Sequence, residues 1–590
     1  MKKIYNSSKT TIMLKNIIEM MERFNYKVLL LFAVLSMNSC SDILDQAPLN
    51  LPDETTFWKT DNDAQLALTN LYKYLPDYFQ WWTECYTDNA IMTNAWGEGG
   101  LGEIKQGNMA ATTSHIQPSL TVNYGAIHKW SPWRYDHIEQ ILYYLENIKK
   151  VNFSSTAVKN NMEGQARFIL ALRYFRITCY FGDIPLIKEK PVSLEESRNL
   201  TRSPQKEVFD YILENVNKAI EYLPDTHDKT GKITRDAAYM LKADILIWMA
   251  SYSQYHNKQL SDKTSSQLWR EAANAAQKVI KSGHYILEPD IVTLFQSVQN
   301  NKDDETILAR QYVKDEVINW FNVLGVPGGC SLRGGGWASF SAPRGLIDDF
   351  ECTDGKSIFE SPTYNKKSPW ENRDKRLTSW FLLPKYPVIR ANGKYTLFES
   401  HPSYSGPAHQ EAIGGEGGGG RSGYWGIKYV EMNTYDSYGY QNWKIYRYGE
   451  TLLMLAEALN ECNSSNDSIV WAMNQIRTRA GLPGVDALKG NQIDMRKKIW
   501  HERRIELENE DKRFYDLYRT KQAEVAMNPT DGVLYGINLS RDDYDNALGD
   551  WTKAKIIAEP IKFDVSKGYL WPIPQEVMDN NPKITQNPNW

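Results

Sequence analysis

Apolar residues that recur at helical spacing are the feature that most limits what this chain can fold into. In the segment 63–75, for example, Leu68, Leu71 and Leu75 fall along one side of a helix. The same spacing recurs in the segments 135–151, 160–181, 203–224, 234–253 and 269–283. The connections between these segments are short and polar, which favours antiparallel helix hairpins that stack on one another. The sequence therefore predicts a mainly α fold.

Two helix ends can be read directly from residue types. Ser203 precedes Pro204, and this pair predicts a helix that begins with a serine N-cap and a proline in the first turn. Gly283 follows Lys281 at the end of another periodic segment, which predicts a glycine C-cap.

The helical pattern is interrupted between residues 286 and 442, where glycine, proline and aromatic residues dominate, as in residues 319–345. Residues 305–313 are a candidate strand within this region. Helical periodicity returns in residues 443–590 and continues the pattern of residues 40–285. We expect a single TPR-like helical-hairpin array that carries residues 286–442 as a large insertion of irregular loops and short strands.

The N-terminal segment has the anatomy of an export signal. Arg23 and Lys27 precede an apolar stretch at residues 28–37, and small polar residues lead from there to Cys40. A stretch of this length is too short for a transmembrane helix, which needs about 20 apolar residues.

This segment resembles a bacterial lipoprotein signal with a loose lipobox. We expect residues 1–39 to be a signal peptide and Cys40 to become the lipid-bearing first residue of the mature chain. An ordinary secretory signal is the alternative, and Met20 or Met21 would be a more natural start. Attachment to the membrane would then be through the lipid anchor alone.

Charge and cysteine content exclude several functions. A formal net charge of -4 provides no basic excess for a nucleic-acid partner. The cysteines beyond Cys40 show no metal-ligand spacing, so we expect neither a metal nor another cofactor. They are expected to be mostly buried free thiols, with a disulfide between Cys330 and Cys352 left open as an alternative.

Four motifs, in this order, resemble the SusD/RagB family of outer-membrane nutrient-binding lipoproteins from Bacteroidetes. They are "GQARFILALRYFRITCYFGDIPLI", "YRYGETLLMLAEALNE" with "NQIRTRAGLP", "ERRIELENEDKRFYDLYR", and the terminal "LWPIPQEVMDNNPKITQNPNW". Together with the leader they extend over nearly the whole chain. The resemblance implies a SusD-like fold.

The charged residues of these motifs are expected to hold the helices together. Glu163 and Arg167 have the i,i+4 spacing of a helical ion pair. Glu450 and Glu457 lie on the same side of a predicted helix as Leu453, so we expect them to meet arginines of neighbouring helices.

The resemblance also implies a function. It implies a non-catalytic, surface-facing lipoprotein of the outer membrane that captures oligosaccharide or polysaccharide and delivers it to a SusC-like TonB-dependent transporter. Uptake of peptide, as in RagB-like relatives, is the alternative.

Aromatic residues beside polar ones indicate where a sugar would bind, because the apolar face of a sugar stacks on flat rings while its hydroxyls need hydrogen bonds. Of the residues, 12% are aromatic, with 19 Trp and 35 Tyr. The candidate ligand-binding residues are Trp81, Trp82, Asn94 and Trp96 in one segment, and Trp320, Arg333, Trp337 and Trp425 in the insertion. The family resemblance places a sugar-stacking Trp at Trp96. The alternative is that these rings pack the insertion onto the helices.

Catalytic motifs are missing from the sequence. It contains no HExxH, P-loop or GxSxG motif. Paired carboxylates of a glycoside hydrolase cannot be recognised from spacing, because their separation depends on the fold. We therefore predict a binding protein without catalytic residues, with a glycoside hydrolase as the less favoured alternative.

Overall fold

The structure is a computed structural model of the chain. It describes residues 57–92, 98–119, 121–123, 127–129, 131–188, 190–227, 231–296, 303–326, 336–389, 395–401, 421–431, 438–537 and 557–590. The predicted signal segment 1–39 and Cys40 lie outside these residues. Within the described ranges, no helix combines the length and the apolarity needed to cross a bilayer.

Helices form the body of the molecule. Before the predicted insertion they are α1 (Asp61–Leu71), α2 (Glu98–Lys105), α3 (Tyr135–Asn147), α4 (Thr156–Phe181), α5 (Leu194–Ser197), α6 (Gln205–Tyr222), α7 (Arg235–Tyr255) and α8 (Ser265–Ser282). Within it they are α9 (Thr293–Gln296), α10 (Phe321–Gly325), α11 (Arg344–Asp349) and α12 (Lys375–Trp380). After it they are α13 (Tyr448–Cys462), α14 (Asp467–Arg479), α15 (Gln492–Glu506), α16 (Arg513–Arg519), α17 (Ala523–Ala526) and α18 (Gln575–Asn580).

The strands are short and pair in two-stranded antiparallel ladders. They are β1 (Ile91–Met92), β2 (Thr121–Asn123), β3 (Ile127–Lys129), β4 (Thr306–Arg310), β5 (Phe340–Ser341), β6 (Phe381–Leu382), β7 (Pro387–Ile389), β8 (Tyr395–Leu397), β9 (Trp425–Gly426), β10 (Trp443–Arg447), β11 (Val533–Tyr535) and β12 (Ile557–Pro560). The pairs are β1 with β5, β2 with β3, β4 with β10, β6 with β9, β7 with β8, and β11 with β12. β4 confirms the strand predicted within residues 305–313.

The helices stack as antiparallel hairpins. Helix α4 packs against α6, α6 against α7, and α7 against α8. Helix α8 then packs against α13, which packs against α14 and α15. The stack therefore continues across the insertion, and the predicted fold class of a helical-hairpin array with an irregular insertion is confirmed.

Polar caps set several helix ends. Thr60 and Asp63 form a reciprocal capping box at the start of α1, and Thr264 and Gln267 do the same for α8. Helix α8 ends at Gly283, whose φ of 69° lies in the left-handed region that glycine tolerates. The predicted C-cap is confirmed.

The predicted N-cap at Ser203 is wrong. Helix α6 begins at Gln205, and the backbone N–H of Gln205 donates to the Asp183 carboxylate at 2.8 Å. The N–H of Ser203 instead donates to the carbonyl of Ile184 at 2.9 Å. A tertiary bridge therefore holds Ser203, and the cap comes from a residue distant in sequence.

One hydrophobic core joins the helices and the insertion. Its members include Ile169 of α4 and Trp248 of α7 together with Phe321 and Trp380 of the insertion. A smaller cluster lies between α13, α14 and α15. Cys352 is buried with a free thiol, and Cys330, its partner in the disulfide alternative, lies outside the described residues.

A buried network of ion pairs, centred on Arg447, joins the insertion to the C-terminal helices. Arg447 Nη1 lies 2.7 Å from Glu305 Oε1 and 2.8 Å from Glu506 Oε1. Its Nε lies 2.7 Å from Glu510 Oε2. One guanidinium at the end of β10 thus binds carboxylates from two segments that lie far apart in sequence, Glu305 beside β4 and Glu506 with Glu510 at the end of α15.

Arg376 of α12 extends this network. Its Nη1 lies 2.7 Å from both Glu502 and Glu506, and its Nη2 lies 2.6 Å from Asp374. Burial alone would raise the pKa of Glu502, but Arg376 and Arg477 outweigh that effect and lower the pKa to about 2. The Glu502 carboxylate is therefore ionised at neutral pH.

Family-motif charges serve the same structural purpose. Glu457 meets Arg519, as predicted, with 2.7 Å between Oε1 and Nη1. Glu450 meets Lys512 at 2.9 Å, so its partner is a lysine and not the expected arginine.

Candidate functional site

Trp81 and Trp82 lie in the 3₁₀-helical segment Tyr78–Tyr86, and each is only 2% exposed. The Trp81 ring lies 4.0 Å from Phe340 and 5.5 Å from Phe321, measured between centroids. The Trp82 ring lies 4.6 Å from Phe340 in an edge-to-face arrangement. Both indoles therefore support strand β5, which carries Phe340, and expose almost no ring surface.

Trp425 is also buried. It lies on β9, where it pairs with Leu382 of β6, and it has no exposed surface. Its ring packs edge-to-face against Phe398 at 5.1 Å. Nearby glycines in the sequence suggested that the Trp425 ring would be exposed. It is buried instead, because β9 lies inside the core.

Three other rings meet at the surface, and we call them the aromatic cluster: Trp320, Trp337 and Tyr438. The centroid of Trp320 lies 5.3 Å from that of Trp337 and 5.1 Å from that of Tyr438. Trp320 and Trp337 are partly exposed, and Tyr438 is 46% exposed. The structure therefore brings together two of the predicted residues and adds a third ring.

Close backbone packing positions Trp337. Its N–H donates to the carbonyl of Val323 in α10 at 2.7 Å. A Cβ on the preceding residue, Gly336, would lie only 1.9 Å from the carbonyl oxygen of Val326. Glycine is required there, and its small size lets the segment lie directly against α10.

Buried amides position Tyr438. Asn319 and Gly439 exchange two backbone hydrogen bonds, at 2.8 and 2.9 Å. The Asn322 side chain accepts from Gln441 Nε2 at 3.1 Å and donates to the carbonyl of Tyr438 at 3.3 Å. Asn322 thus holds the carbonyl of Tyr438, and Asn319 holds the next residue, Gly439. Because Asn319 and Asn322 flank Trp320 and Phe321, these bonds place Tyr438 beside Trp320.

A second aromatic layer lies beneath the cluster. Phe321 stacks on Tyr429 at 4.7 Å and on Trp443 at 5.7 Å, measured between centroids. Burial raises the pKa of the Tyr429 hydroxyl well above its usual range, so it is neutral at physiological pH. Trp320 and Trp337 pack against the core that contains these stacked rings.

The predicted residues Asn94, Trp96 and Arg333 lie outside the described residues. The chain enters the segment 93–97 from Met92 of β1, which pairs with Phe340 of β5. Phe340 lies three positions after Trp337. Met92, which directly precedes that segment, therefore lies beside the strand that follows Trp337.

This arrangement provides aromatic ring surface of the kind on which the apolar face of a sugar ring stacks. In the part of the chain that the structure describes, no group of three or more His, Cys, Asp and Glu side chains is arranged to hold a metal ion. Sequence reasoning missed Tyr438, although its setting in "SYGYQNW" repeats the glycine-aromatic pattern that singled out Trp337.

Comparisons with known proteins agree with this architecture. The model of the SusD family matches residues 304–590, and a second model, described as starch-binding and associating with the outer membrane, matches residues 51–247. SusD-like protein P2 of Formosa agariphila is 23% identical over 584 residues, which cover 96% of this chain and 99% of that protein.

Solved structures share the fold. A SusD-like carbohydrate-binding protein from Bacteroides fragilis superimposes with a TM-score of 0.75 at 23% identity, covering 90% of this chain and 100% of that one. A laminarin-binding SusD-like protein gives a TM-score of 0.62 at 19% identity, with 90% and 100% covered.

Fold and site together define a helical-array protein with a cluster of aromatic rings at its surface. The two family models between them match most of its length. The chain belongs to the SusD family, as the four sequence motifs predicted.

Proposed function

We propose that this protein is a non-catalytic glycan receptor of the outer membrane. It captures oligosaccharide or polysaccharide at the aromatic cluster and delivers it to a SusC-like TonB-dependent transporter. The observation that carries the proposal is the convergence of Trp320, Trp337 and Tyr438 at the surface, at centroid distances of 5.1 to 5.3 Å.

The geometry of the cluster supports glycan binding. Three rings at different tilts can contact a curved chain at more than one sugar unit, and the underlying stack keeps them in place before ligand arrives. A site that is already ordered loses less conformational entropy on binding. The relatives described as carbohydrate-binding and laminarin-binding share the fold that carries these residues.

Ligand contact is assigned as follows. Trp320 and Trp337 stack on sugar rings, and Trp96, Asn94 and Arg333 complete the site. The pairing of Met92 with Phe340 supports this, since Met92 directly precedes the segment with Asn94 and Trp96, and Phe340 lies three positions after Trp337. Trp81, Trp82 and Trp425 act as supports beneath the site.

The lipid anchor and the transporter belong to the same proposal. Lipidation at Cys40 holds the protein at the outer membrane with its binding surface facing outward. The family model described as associating with the outer membrane supports this location. The helical array offers a broad surface on which the protein could sit against a transporter.

Substitution of Trp337 tests the proposal. Isothermal titration of the mature chain, beginning after Cys40, should detect binding to at least one member of an oligosaccharide panel. Trp337→Ala should weaken that binding about 10- to 100-fold, because a tryptophan at the centre of a binding surface contributes roughly 1.4–3 kcal/mol. Trp96→Ala, measured in parallel, tests the assignment of Trp96 to the site.

Trp471→Ala is the matched control. Trp471 lies on α14 and is 41% exposed, so its loss removes a surface indole away from the cluster. Equal loss of affinity in both variants would contradict the proposed site. Binding of peptides in place of all sugars would favour the RagB-like alternative, and release of reducing sugar would favour a hydrolase.

A further inference from the structure

A second candidate site lies in a cavity of about 500 Å³ that none of the aromatic-cluster residues lines. The 3₁₀ segment Tyr78–Tyr86 forms one wall, and residues 131–137 and helix α4 form others. Ligand pockets commonly have volumes of about 300–1,000 Å³, so this one can hold one or two sugar units.

Cations outnumber acids in the lining of this cavity. Five basic side chains line it, and the acidic ones are Asp77 and Asp136. The basic side chains are Lys73, Arg134, Arg173, Arg176 and Arg310. Such an excess in a partly enclosed space attracts an anion, because the low-dielectric walls weaken screening by solvent.

Most of these cations already have a partner. Arg134 Nη2 pairs with Asp136 at 2.7 Å, and Arg176 Nη1 pairs with Asp511 at 2.6 Å. Arg310 donates to the carbonyl of Tyr72. Lys73 lies over the ring of Tyr74, with its Nζ 5.1 Å from the centroid.

Arg173 differs from the others. Among the described residues it has no carboxylate within ion-pair distance, and its buried Nε has no hydrogen-bond acceptor. Burial, together with Arg134 and Arg176, lowers the pKa of the guanidinium to about 9 against the opposing effect of the nearby Asp77 and Asp136, which leaves it charged at neutral pH. A buried donor without an acceptor is costly, so a ligand that supplies one gains free energy.

The remaining walls are aromatic and hydroxyl-bearing. Phe79 and Tyr515 line it with aromatic rings, and Thr83 and Ser131, whose hydroxyls donate to Asp511 and to the carbonyl of Ile116, line it with oxygen atoms. Rings suit the apolar face of a sugar, and a guanidinium can bind a carboxylate or sulfate through two parallel hydrogen bonds. A simple inorganic anion would leave the aromatic surface unused.

We infer that this cavity binds the acidic group of a charged sugar residue, a uronate carboxylate or a sulfate ester, with Arg173 as its principal contact. The choice of a sugar rests on the proposed function, whereas the anionic group rests on the cavity itself. A receptor with both sites would hold a glycan chain at the aromatic cluster and select an acidic unit here.

Titration with small probes tests this inference. Glucuronic acid and glucose 6-sulfate should bind the mature chain at least about tenfold more tightly than glucose. Arg173→Gln should weaken the binding of both acidic sugars about tenfold or more, because a hydrogen bond between charged groups contributes enough for such a factor. The affinity of Arg173→Lys for the acidic sugars should lie between those of the wild type and Arg173→Gln. Lysine keeps the positive charge but cannot form two parallel hydrogen bonds to one acidic group.

Arg167→Gln is the matched control. Arg167 lies on the same helix and pairs with Glu163 at 2.7 Å, as predicted from their spacing, but it does not line the cavity. Its loss should leave the binding of acidic sugars unchanged.

Several outcomes would overturn the inference. If glucose bound as tightly as the acidic sugars, the acidic group would have no role. The same conclusion would follow if Arg173→Gln bound the acidic sugars as tightly as the wild type does. Inorganic sulfate that binds as tightly as both acidic sugars would show an anion site without sugar selectivity. Binding of N-acetylglutamate in place of glucuronic acid would assign the cavity to acidic peptides.

The two proposals fail independently. Oligosaccharide binding that depends on Trp337, without binding of acidic sugars that depends on Arg173, would leave the glycan receptor intact and remove this second site. The reverse pattern would keep the cavity site and remove the aromatic cluster.

Discussion

Replacing Arg447 by methionine is expected to lower the free energy of unfolding by about 3–5 kcal/mol. Arg447 has almost no exposed surface and lies within 2.8 Å of carboxylate oxygens of Glu305, Glu506 and Glu510. Methionine retains most of the side-chain volume but removes the charge. Glu305, Glu506 and Glu510 would keep only their other cations, Arg376, Arg479 and Lys428, and buried negative charge in excess of its cations is unfavourable.

Urea unfolding followed by circular dichroism would measure this effect. The control is Lys206→Met, which removes a cation from an exposed pair with Asp210 at 3.1 Å. Exposed pairs contribute about 0–1 kcal/mol, so the control should unfold almost as the wild type does. A loss below about 1 kcal/mol for Arg447→Met would contradict the role of Arg447 as the central cation of the network.

Glu508→Gln is expected to reduce the decline in stability between pH 5 and pH 9, by an amount on the order of a few kcal/mol. Burial raises the pKa of Glu508 to about 8, against the opposing effect of Lys428 and with a further contribution from Glu510. Between its unfolded pKa, near 4.5, and about 8, the folded chain therefore holds a proton that the unfolded chain has released. Stability falls as pH rises through this window, and glutamine removes that dependence.

The measurement is the unfolding free energy at several pH values for both proteins. Glu84→Gln should act in the same direction, because burial and the nearby Glu508 raise the pKa of Glu84. Glu195→Gln, at an exposed position on α5, serves as the control. A pH profile of Glu508→Gln that parallels the wild type would show that Glu508 is ionised throughout.

The fold could be predicted because its information is local. Periodic leucines and isoleucines, Gly283 at a helix end and the strand at residues 305–313 are all recognisable within short windows. The Ser203 prediction failed for the opposite reason. The residue that caps helix α6 is Asp183, which lies 22 residues before Gln205 in the sequence. It comes close to Gln205 only when the chain has folded.

The site was harder to predict, because the surroundings of a tryptophan are set by the fold. Trp337 and Trp425 both lie beside glycines in sequence, yet the first is partly exposed and the second has no exposed surface. The difference comes from strand pairing, since β9 pairs with β6 inside the core. Arg173 escaped notice for a similar reason: its lack of an acidic partner depends on which residues surround the cavity.

The pairing of β1 with β5 joins segments about 250 residues apart along the chain. Closing so long a loop costs conformational entropy before its contacts form, whereas a helix hairpin such as α7 with α8 closes locally and quickly. The helices can therefore assemble well before the surface beside Trp337 exists. Ligand capture is then acquired last during folding, and binding of a glycan would report that the whole chain, and not only its helical part, has reached its final state.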